Sequence, residues 1–241
     1  MIHYSGLSRN YWAFFIFLLF VTIVVENDSM RKTARLRNGI DSLTDKVPVN
    51  KHAEQFIASY IQTNKAGLSR IRERSPLPFY MIDTVFIKYD LPVQLKYLAV
   101  IESELKTNAV SRVGAVGPWQ LMPATAQLLG LKVSASYDER TNYYKSTKAV
   151  ALYLRDLYSE FGDWLLVIAA YNSGPGPVYK AIRQSGSRNF WALQNYLPAE
   201  SRIHVKKFIA AHYYFEQQGS VTTYTKAEWQ AYNDALAIAG S

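Results

Sequence analysis

The longest hydrophobic run in the chain lies near its start, at Tyr11–Val25, where Thr22 is the single residue that is not apolar. As a helix, this run spans about 22 Å, which is shorter than the roughly 30 Å hydrocarbon core of a bilayer. Arg9 precedes the run and Glu26 follows it. This charge order favours a cytoplasmic N-terminus with the remaining chain across the membrane. The pattern therefore predicts a membrane segment over residues 1–26.

Three interpretations of this segment stay open. A cleaved signal peptide has a similar charged start and apolar middle, but no small-x-small cleavage pattern follows Val25. An uncleaved anchor fits better, with Tyr11 and Trp12 at the interface and Arg9 snorkelling to extend the span. A buried core helix fits least, because the run has no polar face. Residues 27–50 are polar and are predicted to form a linker.

The hydrophobic positions after the linker recur at helical spacing, with no period-2 alternation and no internal repeat. They predict an all-α domain over residues 51–218 and an amphipathic tail over residues 219–241. Asn50 is expected to cap the first helix, and Ser75-Pro76 to start the second. The predicted helices cover approximately residues 51–62, 76–89, 92–101, 123–129, 146–161, 164–172, 177–184 and 202–217.

The composition agrees with a packed domain and removes several classes of chemistry. Of the 241 residues, 49% are hydrophobic and 19% are charged, which is typical of a globular protein. Cysteine is absent, so disulfides, thiolate metal sites and cysteine nucleophiles are excluded. The four histidines are scattered without the spacing of a metal site. We therefore expect no metal and no cofactor.

The net charge of +8 is unevenly distributed along the chain. Residues 1–74 carry +5 of it, and residues 75–241 carry +3. A nucleic-acid-binding protein needs a basic face on its folded domain, whereas residues 75–241, which include most of the predicted domain, carry only +3. The chain is therefore expected to bind no nucleic acid.

Glu102 is the first candidate for chemistry. It follows the apolar stretch Leu98-Ala99-Val100-Ile101 at the end of a predicted helix, where poor solvation favours a protonated carboxyl, as a general acid requires. By position alone, Glu102 could equally be the exposed end of a core helix. Glu104 lies two residues on, about 200° around a helix, so the two carboxylates are not expected to face one cleft.

Two segments rich in hydrogen-bonding and aromatic side chains come after Glu102. Residues 111–125 form a glycine-punctuated loop that enters a helix, and residues 169–174 place a phenol and an amide at the end of another helix. Amides and aromatic rings suit N-acetylated sugars, which present acetamido groups and apolar ring faces.

In these segments the chain resembles the soluble-lytic-transglycosylase (SLT) family of the lysozyme-like superfamily, in its membrane-bound lytic murein transglycosylase D type. The resemblance covers about residues 70–215 and rests on three blocks in the family's order. They are Glu102-Ser103, then Gly117, Gln120 and Met122, then Ala170-Tyr171-Asn172. The resemblance implies a lysozyme-like helical catalytic domain behind the N-terminal membrane helix.

The resemblance also implies a reaction. Members of the family cleave the MurNAc–GlcNAc β-1,4 bond of peptidoglycan without water and leave a 1,6-anhydro-MurNAc end. The catalytic glutamate corresponds to Glu102, the partner is the glycan strand, and the catalytic domain is expected on the periplasmic side of the membrane. The implied substrate-binding residues are Ser103, Ser111, Gln120, Met122, Tyr171 and Asn172.

One departure and two alternatives stay open. Members of this type usually place a Tyr in the cleft after a Leu-Pro-x-Glu-Thr-Arg segment, whereas here residues 197–202 lead to His204. The sequence does not decide whether His204 takes the place of that phenol. A hydrolytic muramidase would use water at the second step of the reaction, and a non-catalytic wall-binding protein would only hold the glycan. The intact Glu102 argues against the last alternative.

Overall fold

The computed structural model describes residues 46–239. The regular structure in this range is helical and is accompanied by three isolated β-bridges, so the prediction of an all-α domain is confirmed there. The predicted membrane segment, residues 1–26, lies outside the described residues. Within residues 46–239, none of the helices has the length and the apolar character needed to cross a bilayer.

Most helices follow one another through short connections, but the segments on either side of α4, residues 104–122 and 129–142, are longer. There are 3₁₀ turns at Val93–Lys96, Glu139–Thr141 and Gln194–Tyr196. In chain order, the α-helices are α1 (Glu54–Arg74), α2 (Pro76–Lys88), α3 (Tyr97–Ser103), α4 (Pro123–Leu128), α5 (Tyr143–Phe161), α6 (Trp164–Ser173), α7 (Pro175–Ser185), α8 (Phe190–Leu193), α9 (Ala199–Glu216) and α10 (Lys226–Ala239).

Helix α6 forms the centre of the core. Its residues from Leu165 to Ala170 are fully buried, because α5, α7 and α9 all pack against it. Its N-terminus is capped by Asp163, whose Oδ1 accepts from the backbone N–H groups of Leu165 and Leu166. A helix that is apolar on every side is stable only in such surroundings. The packing of α6 therefore fixes the position of its last turn, which carries two predicted site residues.

Helix α1 differs from its prediction at both ends. Asn50 does not cap it; instead, the Asn50 side chain accepts from the backbone N–H of His52, and the helix begins at Glu54. The helix then continues well past residue 62 to Arg74. Leu68 and Ile71 in its second half are buried. Packing against α9 therefore extends the helix beyond its predicted end at residue 62.

Residues 219–229, here called the C-terminal clasp, pack against the start of the domain. The Gly219 N–H donates to the Val47 carbonyl at 2.8 Å, and the Tyr224 hydroxyl donates to the Pro48 carbonyl at 2.7 Å. The Lys226 N–H donates to Asp163 Oδ2 at 2.7 Å. The compact unit therefore starts at residue 47 and includes the clasp.

Candidate active site

Glu102 lies in the last turn of α3 and lines a cleft of about 480 Å³. The first four residues of α3, from Tyr97 to Val100, are buried in the core and hold the helix in place. The Glu102 side chain is 17% exposed, which leaves it open to a bound molecule while most of it is shielded from water. This combination suits a carboxyl group that transfers a proton.

His204, on α9, is the hydrogen-bond partner of Glu102. Its Nε2 lies 2.8 Å from Glu102 Oε1, and its side chain is only 9% exposed. The other ring nitrogen, Nδ1, is buried and has no hydrogen-bond partner among the described residues. This hydrogen bond joins α3 to α9, and its two residues are 102 positions apart in sequence.

A pinned loop between α3 and α4 forms one wall of the cleft. The Arg140 guanidinium donates to the carbonyl oxygens of Gly114 and Leu121, each at 2.9 Å. Gly117 has a φ of +85°, and a Cβ on it would overlap the Arg140 carbonyl oxygen. Only glycine meets both conditions. The Arg140 hydrogen bonds therefore hold the loop in place, and close backbone contact explains the glycine at position 117.

Gln120 and Ser111 are held by this loop while they line the cleft. The Gln120 amide nitrogen donates to the carbonyls of Gly117 at 2.9 Å and Ala109 at 3.2 Å. The Ser111 hydroxyl accepts from the Ala115 N–H at 2.9 Å. Each side chain is thereby oriented and keeps hydrogen-bonding capacity for a ligand: the carbonyl oxygen of Gln120 and the hydroxyl hydrogen of Ser111.

The opposite side of the cleft comes from the end of α6. The Tyr171 hydroxyl donates to the Trp119 carbonyl at 2.7 Å, which ties α6 to the loop. Burial, with the nearby charge of Glu102, raises the pKa of Tyr171 well above its ordinary value, so the phenol stays protonated and keeps this bond. Asn172 Oδ1 accepts from the Ser201 hydroxyl at 2.8 Å, which leaves the Asn172 NH₂ group for a ligand.

The structure brings together six of the seven predicted site residues. The exception is Ser103, which is 6% exposed and donates to the carbonyls of Ala99 and Pro118 instead of lining the cleft. It holds the loop against α3. The other six line the same cleft: Glu102, Ser111, Gln120, Met122, Tyr171 and Asn172.

Two further cleft residues were not singled out by the sequence. Tyr153 on α5 lines the cleft, with its ring centroid 6.0 Å from that of Tyr171. Glu200, in the first turn of α9, also lines it. The sequence signal that could have identified Glu200 is its position in the segment 197–202, two residues after Pro198.

Among the residues that the structure describes, no group of three or more His, Asp or Glu side chains could hold a metal ion.

Glu104 is kept out of the cleft by the end of α3. The helix ends at Ser103, and Glu104 adopts a left-handed conformation with φ of +56°. Its carboxylate pairs with Lys106 at 2.9 Å and Arg74 at 3.0 Å on the surface. The Lys106 hydrogen bond first, and then that of Arg74, lower the pKa of Glu104. The two neighbouring glutamates therefore have different surroundings, as the sequence predicted.

Comparison with known proteins agrees with this geometry. Residues 87–194 match the model of the transglycosylase SLT domain. Membrane-bound lytic murein transglycosylase D of Escherichia coli K12 is 35% identical over 175 residues, which are 70% of this chain and 38% of that protein. Peptidoglycan transglycosylase gp16 of Escherichia phage T7 is 38% identical over 92 residues, which are 37% of this chain and 7% of that protein. The chain thus spans well under half the length of either relative.

A solved structure shares the fold. The 70 kDa soluble lytic transglycosylase SLT70 of Escherichia coli superposes with a TM-score of 0.54 at 26% sequence identity, over 73% of this chain and 31% of that one. The order of the three sequence blocks, the cleft that they line and these similarities agree with one another. Residues 87–194 are therefore similar in sequence to the transglycosylase SLT domain.

Proposed function

We propose that this chain is a lytic transglycosylase that cleaves the MurNAc–GlcNAc β-1,4 bond of peptidoglycan and leaves a 1,6-anhydro-MurNAc end. The observation that carries the proposal is Glu102, a mostly shielded carboxyl on the wall of a cleft, with one hydrogen-bonded partner. The activities named in the relatives support the same reaction. The proposal assigns the acid to Glu102 and glycan binding to the other cleft residues.

In the first step, the protonated Glu102 carboxyl gives its proton to the glycosidic oxygen. The C1–O bond breaks, its electron pair goes to the leaving oxygen, and the acetamido oxygen of MurNAc stabilises the positive charge at C1. In the second step, the Glu102 carboxylate takes the proton from the C6 hydroxyl, and the C6 oxygen bonds to C1. One carboxyl group thus acts as acid and then as base, and no water is consumed.

The remaining cleft residues fit the glycan by their chemistry. Met122, whose side chain is 42% exposed, and Tyr153 offer apolar surface to a sugar ring. The Gln120 carbonyl oxygen and the Asn172 NH₂ group offer an acceptor and a donor that match an acetamido group. The cleft therefore combines apolar surface with polar groups at fixed places, as a sugar-binding site requires.

The mass of the product tests the proposal. Purified peptidoglycan is digested with the full chain, and the released muropeptides are separated and weighed. We expect ends that are one water lighter than reducing ends. Products with reducing ends would instead show hydrolysis, and an absence of products with intact glycan binding would show a wall-binding protein.

The second candidate function is hydrolysis by a muramidase. Glu200 supports it, because this residue places another carboxylate on the wall of the same cleft. An inverting glycosidase uses one carboxyl as acid and a second as the base that activates water. Replacement of Glu200 by Gln separates the two mechanisms. The lytic transglycosylase keeps its anhydro product in this variant, whereas an inverting hydrolase loses its activity.

We also propose that the apolar run at Tyr11–Val25 holds the enzyme at the membrane, with the catalytic domain on the periplasmic side. The sequence of the run, its flanking charges and the name of the relative in Escherichia coli support this location. Membrane fractionation with N-terminal sequencing tests it. A mature protein that begins near residue 27 would replace the anchor with a cleaved signal peptide.

A further inference from the structure

We propose that His204 is a positioning residue that donates its Nε2–H to Glu102 Oε1 and thereby keeps the acidic proton on Oε2. The inference rests on the proposed function, since it concerns the proton that Glu102 transfers. The 2.8 Å separation is that of a hydrogen bond, and both side chains are largely shielded from solvent. The question is which of the two groups donates.

The surroundings of His204 Nδ1 indicate which of the two groups donates. Nδ1 is buried and has no polar protein atom within hydrogen-bond distance among the described residues. A hydrogen on Nδ1 would be a buried donor without an acceptor, which costs about 1–3 kcal/mol. The Nδ1–H tautomer and the imidazolium both carry that hydrogen, whereas the Nε2–H tautomer does not. The surroundings therefore select the neutral ring with its hydrogen on Nε2.

In this tautomer, the two carboxyl oxygens of Glu102 have different roles. Oε1 accepts from His204 and cannot also donate toward that nitrogen. The acidic proton is then carried by Oε2, which has no hydrogen-bond partner among the described residues and belongs to a side chain that lines the cleft. The proton is thus kept on the oxygen that is available to the glycosidic bond.

The same hydrogen bond favours the proton transfer itself. When Glu102 loses its proton, the bond from His204 becomes charge-assisted and roughly doubles in strength. An interaction that strengthens as the carboxylate develops accelerates the chemical step without tightening substrate binding. Its loss should therefore lower kcat and leave KM nearly unchanged.

Two variants of His204 separate a donor from a space-filling group. His204→Leu removes the donor and is expected to lower kcat about tenfold to hundredfold, with KM within about twofold of wild type. His204→Gln places an amide N–H near the position of Nε2 and should restore most of the rate. Thermal melting of both proteins accompanies the kinetics. Equal losses in the two variants, or a rise in KM alone, would overturn the positioning role.

Imidazole ¹⁵N NMR on the full chain tests the tautomer independently of activity. The His204 signals are assigned by their absence from the His204→Gln protein, and we expect a protonated Nε2 beside a bare Nδ1. Hydrogen on Nδ1 in the wild-type protein would overturn the proposal. If wild type releases no anhydro product, the proposed function fails and the positioning role of His204 fails with it. If wild type is active but His204→Leu turns over equally fast, only the inference about His204 fails.

Discussion

Glu102 and Glu104 are two residues apart and have opposite surroundings. Glu102 is mostly shielded, lines the cleft and contacts His204, whereas Glu104 is half-exposed and pairs with Lys106 and Arg74. The difference arises at Glu104, where the left-handed backbone conformation turns the chain out of the helix. At the scale of single residues, the chemistry of this site therefore depends on where α3 ends.

Replacement of Glu102 by Gln should abolish cleavage while it preserves the fold. Gln keeps the shape and hydrogen-bonding capacity of the side chain but transfers no proton. Loss of general acid catalysis typically costs about 10²–10⁴-fold, and loss of both proton transfers should reach at least the upper end. Muropeptide release from purified peptidoglycan measures the effect.

Glu104→Gln is the matched control for that experiment. Surface ion pairs contribute about 0–1 kcal/mol, so this variant should fold and retain near wild-type activity. Loss of activity in Glu104→Gln together with an active Glu102→Gln would show that the wrong carboxylate had been chosen.

Asn172→Ala should lower turnover by roughly 1–3 kcal/mol of transition-state binding, because a polar partner of the sugar is removed. The structure adds a stability effect of about 1 kcal/mol, since Asn172 also accepts from the buried Ser201 hydroxyl. Ser201→Ala removes the same internal hydrogen bond and leaves the Asn172 NH₂ group in place. It should share the stability loss and keep most of the turnover. Equal turnover losses would assign Asn172 to structure alone.

At the scale of elements, local signals predicted the boundary between α5 and α6 correctly, whereas the cap predicted at Asn50 is wrong because α1 begins at Glu54. Asp163 before α6 and Gly162 after α5 predicted those boundaries, and the structure has them there. The end of α1 was missed because burial against α9, which is distant in sequence, extends it. The contact between Glu102 and His204 could not be predicted for the same reason: it depends on how α3 meets α9.

The loop between α3 and α4 gives a prediction at this scale. Gly117→Ala should reduce the free energy of unfolding by several kcal/mol, because the added methyl group meets the Arg140 backbone and φ is +85°. Gly114→Ala has nearly the same φ, +88°, but its added Cβ meets open space. It should cost only about 1–2 kcal/mol of backbone strain. Urea unfolding of both variants measures the difference, and equal losses would contradict the contact with Arg140.

At the scale of the whole molecule, His212 should make stability depend on pH. Burial first, and then the charge of Lys96, lower its pKa to about 3 from 6.5. The unfolded chain therefore binds this proton before the folded chain does. The stability contributed by a neutral His212 is full above pH 6.5 and falls by about 1.4 kcal/mol per unit down to pH 3.

His212→Leu isolates this effect, because every other titrating group is common to both proteins. Urea unfolding between pH 3 and 7 should show a shallower loss of stability in the variant than in wild type. Parallel curves would mean that the pKa of His212 is the same in the folded and unfolded chains.

Removal of residues 219–241, which the sequence predicted to be a tail, should destabilise the domain by several kcal/mol. It removes Glu228, whose carboxylate accepts from Asn50 and from the Trp191 indole N–H, and it removes the Lys226 N–H that Asp163 accepts. Buried polar groups that lose their partners cost about 1–3 kcal/mol each. Removal of residues 231–241 spares those contacts and should be nearly neutral in thermal melting. Equal melting temperatures for the two truncations would contradict the clasp.

The hydrogen bond between Gly219 and Val47 also has a topological consequence. It places the first residues of the compact unit beside the start of the clasp, and Asn50 donates to Glu228 Oε2 at 3.1 Å near the end of the clasp. The start of the unit and both ends of the clasp therefore lie close together. A unit of this kind can be inserted into a loop of a larger protein without spreading the two ends of that loop. We therefore expect the unit to fold, with its cleft intact, when it is inserted into an exposed loop of another protein.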